Sequence, residues 1–518
     1  MGKKFYIFLM ILLCVLAAAL FLYCTPFGPG LTNDSSAYIG GARSLMARKG
    51  YVRIGGDGLP RPITHFPPFY SIVLAFISRF TKTDPLKTAS GINLVCCVLN
   101  QALFMTALLI LTRSRFTAFC GGVIFLCAGP VLQANIYALS ETLFVTLFLL
   151  VFILSVRAVQ QGSVWLWLLI GLLSGALSLT RYAGLAFTAA AAVYILCVQP
   201  SWKMRIQSLL LYFSMFNIPF GLWLAKSNEN GNSPVNRVLA LHLPSESKVA
   251  EGIRNFAGFF LPEFGGIVEK PLKLWGYVIA AAMTAMLAAV ILAALRGLFR
   301  PSAELSRSAL FAPALHASFY LLMLMATVFF LDGSTLFDNR ILLPFYICAM
   351  LLIPAFCSRF LSREGLPRAV SVLVMLAFAA LLFEDEQDLI REFHRNGQGM
   401  AGEEWRGSRT RLAALDLPAG RLLWSNRQTA LSLLNDQPSY ILPPMFDAAS
   451  FSERESFEEE KNWMDGEILS GNAFAVVFNY QDMMEDENDR IWLETVLKGL
   501  PLFAEYDDGA IFGISGEN

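Results

Sequence analysis

The stretch that decides the fold is Thr32-Asn33-Asp34-Ser35-Ser36-Ala37-Tyr38, followed after a polar loop by Thr64-His65-Phe66-Pro67-Pro68-Phe69-Tyr70. It comes shortly after a first apolar segment, residues 5–24, which is long enough to cross a membrane as a helix. A carboxylate, Asp34, therefore stands just outside a predicted span, and a Pro-Pro-led apolar helix follows it. A membrane enzyme with a lipid-borne substrate could place its catalytic base there.

The composition predicts a polytopic α-helical membrane protein. The chain has 518 residues, of which 55% are hydrophobic and 15% charged, and its mean hydropathy is +0.53. Soluble proteins carry about 45–50% apolar and about 25% charged residues. The charge is also segregated, because residues 384–518 hold 27 of the 40 acidic residues and only 11 of the 40 basic ones.

The spacing of apolar segments and basic turns predicts about eleven transmembrane helices, from 5–24 to 369–383. Lysine and arginine collect on the cytoplasmic side of membrane proteins. With Lys3 and Lys4 inside, the N-terminus is predicted to be cytoplasmic and the C-terminus extracytoplasmic. The apolar segment 67–80 is short for a span, so we place it at the membrane surface within an external loop, 25–88, that holds juxtamembrane helices.

The chain is thus predicted to divide into a transmembrane catalytic module, residues 1–383, and a small extracytoplasmic α/β domain, residues 384–518. Alternating apolar patterns predict strands at 421–426, 439–444 and 473–478 in that domain, with a helix at 428–434. All nine cysteines lie at or before Cys357, in or beside apolar segments. The α/β domain must therefore be stabilised by an ordinary hydrophobic core.

Two acidic residues are candidate catalytic groups. Asp34 could act as a general base at the membrane surface, or it could be the N-cap of the helix that begins near Ala37. Glu141 opens a predicted span directly after Ser140, where a carboxylate is stabilised by the helix dipole. A catalytic role for Glu141 requires that it face the same pocket as Asp34.

Two arginines stand at the predicted external face, where the charge rule does not favour them. Arg181 lies between two apolar helices, and Arg340 opens another span beside Asp338. Charged residues in such places are costly, and an anionic ligand such as a lipid phosphate would justify them. The alternatives are ion pairs, of Arg181 with Glu141 or Asp34, and of Arg340 with Asp338.

His65 and Tyr38 are the remaining candidate binding residues. His65 could touch the substrate or a phosphate leaving group, or it could cap the helix that follows Pro67 and Pro68. Tyr38 could bind substrate, although an aromatic residue beside a span is more often an interface anchor. We find no P-loop, GxSxG, HExxH or nucleotide-binding fingerprint, and no metal-ligand spacing, so nucleotide-driven chemistry has no support.

Together these motifs resemble the GT-C superfamily of integral-membrane glycosyltransferases, and within it the aminoarabinose (lipid A) transferase and protein O-mannosyltransferase-like group. His65-Phe66-Pro67-Pro68-Phe69-Tyr70 is similar to that group's H-x-P-P-L-Y element. The remaining matching elements are Asp34 with Tyr38, Ser140-Glu141, Thr180-Arg181-Tyr182-Ala183-Gly184-Leu185 and Arg340-Ile341-Leu342-Leu343-Pro344. The resemblance covers about residues 5–360.

The resemblance implies inverting transfer of a sugar from a polyprenyl-phosphate carrier, undecaprenyl or dolichyl, to a lipid, glycan or protein acceptor. It implies that the enzyme acts on the outer face of the cytoplasmic membrane. Asp34 would deprotonate the acceptor, Glu141 would orient Asp34 or the acceptor, and the cationic groups would stabilise the departing lipid phosphate. Asn33 and Ser35 flank Asp34, so the adjacent acidic pair of some relatives is absent. No cofactor is therefore expected, and a divalent metal at this site is possible but not favoured.

Two other functions fit the same residues. A transporter or flippase of an anionic lipid-linked glycan would use Arg181 and Arg340 as charges along the substrate path. Such proteins usually carry internal repeats and broken helices near the midplane of the membrane, and the sequence shows no convincing repeat. A degenerate family member serving as an assembly partner is the third alternative, and the presence of Asp34 argues against it.

Overall fold

A computed structural model describes residues 1–54, 60–229, 241, 244–260, 272–299, 303–331, 335–361, 365–446 and 453–514. Up to residue 229 it contains helices and one short antiparallel hairpin. The helices are α1 (Lys3–Cys24), α2 (Asn33–Met46), α3 (Phe69–Thr81), α4 (Pro85–Thr112), α5 (Arg115–Leu126), α6 (Gly129–Ile136), α7 (Glu141–Gln161), α8 (Leu166–Thr180), α9 (Gly184–Val198) and α10 (Trp202–Glu229), and the hairpin is β1 (Val52–Ile54) with β2 (Pro60–Pro62).

Further helices follow up to residue 396. They are α11 (Glu246–Phe260), α12 (Leu272–Phe299), α13 (Ala303–Arg307), α14 (Phe311–Ala326) with a π-helical continuation at Thr327–Leu331, α15 (Asn339–Leu361) and α16 (Leu366–Asn396). Between α10 and α12 the structure describes residue 241 and residues 244–260, which include α11.

Among the described helices, eight are long and apolar enough to cross a membrane: α1, α4, α7, α10, α12, α14 with its continuation, α15 and α16. Helices α5 and α6 pass the same test together as one broken span, bent by 62°. Helices α8 and α9 are apolar but shorter. All eleven predicted spans thus coincide with described helices, and the polytopic helical membrane fold is confirmed. The total of eleven crossings stays a prediction.

The bend between α5 and α6 has a local cause. Pro130 lies in the first turn of α6, where its missing N–H costs nothing, but a proline cannot continue the hydrogen-bond ladder of α5. The chain therefore restarts as a separate helix at Gly129. The described helix α3, Phe69–Thr81, corresponds to the segment predicted to lie along the membrane surface.

Helices α8 and α10 approach each other closely through two glycines. A Cβ atom on Gly171 would lie 2.0 Å from the backbone oxygen of Tyr212, and one on Gly175 would lie 2.5 Å from the ring of Pro219. Small residues four positions apart let membrane helices pack backbone to backbone. This contact fixes α8, whose C-terminal end leads into Arg181.

The chain forms two compact units. The first, here called the helical unit, comprises Met1–Pro26, Thr64–Tyr70 and Ala89–Arg395. The second, the α/β unit, comprises Phe27–Ile63, Ser71–Thr88 and Asn396–Asn518. It therefore takes in most of the first predicted external loop as well as the C-terminal region. The functional division at residues 383 and 384 stays a prediction.

The α/β unit contains a five-stranded sheet in the order β4-β3-β5-β7-β6. Its strands are β3 (Leu422–Ser425), β4 (Tyr440–Ile441), β5 (Ala473–Phe478), β6 (Leu502–Tyr506) and β7 (Gly509–Gly513). Strand β3 pairs in parallel with β4 and β5, while β7 pairs antiparallel with β5 and β6. The surrounding helices are α17 (Glu403–Gly407), α18 (Arg409–Leu415), α19 (Gln428–Leu434), α20 (Phe457–Leu469), α21 (Tyr480–Glu485) and α22 (Glu487–Val496).

Strand β5 is buried along its whole length, because the sheet is covered on both faces. Phe474 and Val476 belong to one apolar cluster with Leu431, while Ala475 and Val477 belong to another with Met464. Successive side chains of a strand point to opposite faces, so the two clusters lie on either side of the sheet. The small C-terminal α/β fold is confirmed, and its core contains no cysteine. All nine cysteines are unpaired, and none is exposed.

Candidate functional site

Glu141 is held at the start of α7 by a network around the preceding turn. The side-chain amide of Asn93, on α4, donates to the backbone oxygens of Asn135 and Tyr137, at 3.0 and 2.6 Å. The hydroxyl of Thr142 donates to the Ala134 oxygen at 2.7 Å. These bonds fix the turn between α6 and α7, so the position of Glu141 does not depend on the loop alone.

Arg181 follows the last residue of α8 in an extended conformation, with φ −149° and ψ 137°. Its N–H still donates to the Leu177 oxygen at 3.2 Å, and its own oxygen accepts from the N–H of Gly184 at 2.8 Å. A Cβ atom on Gly184 would lie 2.7 Å from the backbone of Leu177. The glycine therefore allows α9 to start directly against the end of α8, which sets the direction of the Arg181 side chain.

Arg340 lies in the first turn of α15. The carboxylate of Asp338 accepts from the N–H of Ile341 at 2.7 Å and so caps this helix. The hydroxyl of Tyr320, on α14, donates to the backbone oxygen of Ile341. Asp338, which the sequence suggested as an ion-pair partner for Arg340, thus serves the helix start.

The three charged residues meet in the helical unit. Nη1 of Arg181 and Nε of Arg340 both donate to Oε1 of Glu141. The side chain of Glu141 is 3% exposed, that of Arg181 is 14% exposed and that of Arg340 is 31% exposed. We call this the Arg–Glu–Arg cluster. Two guanidinium groups thus share one carboxylate oxygen.

The other carboxylate oxygen, Oε2 of Glu141, is buried and has no hydrogen-bond partner within the part of the chain that the structure describes. Buried carboxylate oxygens are normally satisfied by a donor. The cluster therefore combines two guanidinium groups with an acceptor atom that a bound hydroxyl group or water could satisfy.

The ion pair between Arg181 and Glu141, considered from the sequence as the alternative to phosphate binding, is present. The presence of this ion pair does not exclude phosphate binding, because each guanidinium has five N–H groups and a shared carboxylate uses few of them. Binding of a lipid phosphate by Arg181 and Arg340 stays a prediction.

His65 belongs to the segment Thr64–Tyr70 of the helical unit. It is exposed, and its ring packs edge-on against Phe66 with 5.0 Å between the ring centroids. Helix α3 begins only at Phe69, four residues later, so His65 is not its N-cap. In the same segment, the hydroxyl of Tyr70 donates to the side-chain oxygen of Asn93 at 3.5 Å. Asn93 thus connects this segment to the turn before Glu141.

Asp34 lies in the first turn of α2, in the α/β unit, but it is not the N-cap. Thr32 occupies that position: its N–H donates to Oγ of Ser35 at 3.0 Å, and the N–H of Ser35 donates to the Thr32 oxygen at 3.0 Å. The helix start is therefore secured without the Asp34 carboxylate, and the purely structural N-cap alternative is wrong. Asp34 is partly exposed.

Tyr38 lies one turn later on α2 and is 2% exposed. Its backbone oxygen accepts from the hydroxyl of Ser71, on α3, at 2.9 Å. In the structure the residue contributes to the packing of α2 within the α/β unit. Its assignment as a binding residue stays a prediction.

Asn93 and Tyr320 are the positioning residues that the sequence analysis did not single out. Both sit inside long apolar helices, and Asn93 is fully buried. A buried polar side chain in a membrane helix is costly unless it is hydrogen-bonded. A polar side chain within an apolar helix was therefore the signal in the sequence. It indicates Asn93 more clearly than Tyr320. Within the described ranges, no group of three or more histidine, cysteine or acidic side chains is arranged to hold a metal ion.

Comparisons with known proteins bear on the fold. No family model matches the sequence, and no curated protein matches it. Solved structures do match. ArnT from Cupriavidus metallidurans bound to undecaprenyl phosphate is 14% identical, with 99% of each chain covered and a TM-score of 0.53. The arabinofuranosyltransferase AftD from Mycobacteria is 12% identical, with a TM-score of 0.55 over 100% of this chain and 40% of that one.

The chain has the GT-C fold. The oligosaccharyltransferase of Archaeoglobus fulgidus, in a structure tethered to an acceptor peptide, is a further relative in fold, at 12% identity and a TM-score of 0.50 over 100% of this chain and 74% of that one. The predicted resemblance to GT-C glycosyltransferases is confirmed at the level of architecture. With its apolar helices, the GT-C fold makes this a multi-pass membrane protein.

Proposed function

We propose that this GT-C protein is a glycosyltransferase that moves a sugar from a polyprenyl-phosphate carrier to a lipid, glycan or protein acceptor. The observation that carries the proposal is the Arg–Glu–Arg cluster, which places two guanidinium groups around one carboxylate at the ends of membrane helices. The solved structure of ArnT holds undecaprenyl phosphate, which supports the same class of carrier for this chain.

The cluster would act on the leaving group. When the acceptor oxygen attacks the anomeric carbon, the bond from that carbon to the phosphate oxygen breaks, and its electron pair stays on the phosphate. Arginine forks stabilise such developing negative charge, and they act strongly where water is scarce. The guanidinium groups of Arg181 and Arg340 suit the departing polyprenyl phosphate. His65 would contribute a further donor to it, and Tyr38 would help to bind the substrate.

Asp34 would accept the acceptor proton. It lies in the first turn of α2, and carboxylates are among the side chains that act as general bases. An ionised carboxylate is the form that a general base requires. Since Thr32 and Ser35 already secure the helix start, the carboxylate of Asp34 is not needed for capping.

Glu141 would have two roles, one for each carboxylate oxygen. Oε1 holds Arg181 and Arg340 together, while Oε2 would accept a hydrogen bond from a hydroxyl group of the bound substrate or from the acceptor. In this scheme Glu141 orients its partners and does not take up the proton. The reaction inverts the anomeric centre, because attack and departure occur on opposite faces in a single displacement.

The proposed mechanism uses no metal ion. Asn33 and Ser35 flank Asp34, so this part of the chain lacks the adjacent acidic pair with which some relatives hold a divalent cation. We further propose that the reaction takes place on the outer face of the cytoplasmic membrane, with the N-terminus inside and the domain at 384–518 outside. The basic turns between the predicted spans support this orientation.

The competing function is transport of an anionic lipid-linked glycan. A transporter would also place arginines along the substrate path, and a lipid phosphate would suit both. Transport would leave the bond between sugar and phosphate intact, whereas transfer breaks it. Release of free polyprenyl phosphate therefore separates the two functions.

The test uses purified protein in nanodiscs with a panel of polyprenyl-phosphate sugars and crude envelope acceptors. We expect acceptor-dependent release of polyprenyl phosphate, and a loss of about 10²-fold or more in the Asp34→Asn variant, the usual contribution of a general base. Asp388→Asn is the matched control, because that side chain is 89% exposed and pairs with Arg391, three residues along the same helix.

Normal release by Asp34→Asn would overturn the assignment of the base. If no donor releases its carrier, while the variant and the wild type bind lipid equally, the transporter function is favoured.

A further inference from the structure

A cavity of about 380 Å³ lies within the α/β unit, between α2 and α19. Ser36, Gly40 and Ser44 line it from α2 at intervals of four residues, which is one face of a helix. Thr429 and Ser432 line it from α19. The cavity thus joins a helix of the first predicted external loop to a helix of the C-terminal region.

Arg43 fixes the walls of this cavity. Its guanidinium binds the carboxylate of Asp84 with two nitrogens, at 3.0 and 3.1 Å. It also donates to the backbone oxygens of Ser432 and Leu433, at 2.9 and 3.2 Å, and lies 3.1 Å from Asp436. A single side chain therefore ties α2 to α19, so the cavity is preformed. The charge of Arg43 is balanced by two carboxylates.

Lys49 and Arg53 supply further positive charge to the lining. Both are exposed, and neither side chain forms an ion pair with another residue in the described parts of the chain. The carboxylate of Asp436, also in the lining, is engaged by Arg43. The free charge of the cavity is therefore positive.

The lining selects one class of ligand. Small-molecule pockets are typically about 300–1,000 Å³ and mostly apolar, with a few polar groups. This cavity is instead lined by five hydroxyl side chains, including Ser439, and by the amide of Gln428. Among the residues that the structure describes, its lining contains no aromatic side chain. Hydroxyl groups suit a sugar, and the two cations suit a phosphate or carboxylate group.

We propose that the cavity binds the anionic carbohydrate part of the acceptor, such as a phosphorylated or carboxylated sugar. The inference rests on the proposed function, since it treats the ligand as the acceptor of that reaction. The geometry supports it because Ser36, at one end of the lining face of α2, lies within one helical turn of Asp34. The cavity would hold the acceptor while its reacting hydroxyl group extends toward the N-terminus of α2.

Direct binding tests the cavity without the transfer reaction. We would record saturation-transfer NMR spectra of the full chain in nanodiscs with glucose 6-phosphate, glucuronate, glucose and inorganic phosphate. Glucose 6-phosphate and glucuronate should bind more tightly than glucose or phosphate. Lys49→Gln with Arg53→Gln should weaken both by about tenfold or more, because a single charge-assisted contact is worth at least about tenfold in Kd.

Two further variants make the test specific. Lys498→Gln with Arg490→Gln removes the same charge from exposed positions on and next to α22, and should leave binding unchanged. Gly40→Met should block the cavity without disturbing α2, because a Cβ atom at Gly40 meets no atom within 4 Å. The blocked variant should lose binding while it keeps the thermal stability of the wild type.

Equal binding by wild type, the double glutamine variant and Gly40→Met would overturn the proposal. So would equal affinity for inorganic phosphate and glucose 6-phosphate, because the carbohydrate would then contribute nothing. Comparing these spectra with the carrier-release assay on the wild type separates this inference from the proposed function. If the wild type binds these sugars but transfers none, the cavity assignment stands and the transferase assignment fails. If it transfers sugar but does not bind them, the transferase assignment stands and the cavity assignment fails.

Discussion

Arg181 and Arg340 donate hydrogen bonds to the same atom, Oε1 of Glu141. One arginine follows the C-terminus of α8 and the other lies in the first turn of α15, so the carboxylate joins two helices that are distant in the chain. The two guanidinium groups repel each other, and the shared carboxylate is what allows them to lie together. The cluster therefore links α7, α8 and α15, and it is also a candidate phosphate site.

Glu141→Gln should destabilise the helical unit by about 3 kcal/mol, the lower end of the range for breaking a buried ion pair, since Arg340 keeps some contact with water. The variant leaves two positive charges facing each other. Thermal unfolding in detergent measures the loss. Adding Arg340→Gln to the variant should restore part of the stability by removing the repulsion. If Glu141→Gln unfolds at the wild-type temperature, the carboxylate does not hold the cluster together.

Gly184→Ala should disturb the direction of Arg181. The added Cβ would lie 2.7 Å from the backbone of Leu177, so α9 must move away from the end of α8. We expect a loss of about 1–3 kcal/mol, the usual cost of overpacking, and weaker binding of polyprenyl phosphate, measured by lipid titration. Gly221→Ala is the control within α10, because a Cβ atom there meets nothing within 4 Å. Equal lipid affinity in the two variants would contradict the role given to Gly184.

Arg43→Lys should loosen α2 from α19 in the α/β unit although the charge is kept. Lysine cannot reproduce the two-nitrogen contact with Asp84 together with the bonds to the oxygens of Ser432 and Leu433. We expect a cost of about 2 kcal/mol, typical of hydrogen bonds to a charged group, seen as faster hydrogen exchange of both helices. Arg53→Lys should leave exchange unchanged. Wild-type protection in Arg43→Lys would show that packing alone holds the two helices.

Asp508 should make the α/β unit sensitive to acid. Burial raises its pKa, but hydrogen bonds from Ser408 and Thr410 outweigh this and hold the pKa below its ordinary value of 3.8. The Thr410 hydroxyl donates at 2.8 Å and the Thr410 N–H at 3.1 Å. Because the folded pKa is depressed, the stabilisation is present above the unfolded pKa and is lost as the pH falls through the folded value.

Asp508→Asn should therefore unfold at a lower temperature than wild type at pH 7, and the difference should shrink below about pH 4, near the unfolded pKa of an aspartate. Thermal unfolding of the full chain over a pH series measures it. Exposed Asp507→Asn is the neighbouring control. A gap between wild type and Asp508→Asn that stays constant across the series would show that the carboxylate charge contributes nothing.

The positions of the membrane helices could be predicted from the sequence because length and hydropathy are local properties. Each of the eleven predicted apolar segments coincides with a described helix, and β3, β4, β5 and α19 also match their predicted positions. Strands β6 and β7 were missed. Their two-residue turn, Asp507-Asp508, is followed by Gly509, and acidic residues before a glycine are a hairpin signal. The single charged residue of β6, Glu505, and the irregular register between Leu502 and Ala504 obscured the alternation.

The partners of the candidate site residues could not be predicted, because they are set by contacts between distant helices. The sequence offered Arg340 a neighbour in Asp338, yet Asp338 caps α15 and Arg340 binds Glu141. The sequence also suggested Asp34 as the N-cap of α2, whereas the N-cap in the structure is Thr32. The local sequence suggests which partners a residue could have. The packing of distant helices decides which of them it contacts.

The nine cysteines have a practical consequence. Every thiol is buried or half-buried, and none lies beyond Cys357. Residues 384–518 therefore contain no native thiol that could react with sulfhydryl reagents. A single cysteine introduced on an exposed face of α20 or α22 could be labelled in intact cells with a membrane-impermeant maleimide, without first removing the native thiols. Labelling of the wild-type chain would give the background signal. Labelling of the variant above that background would show on which side of the membrane this region lies.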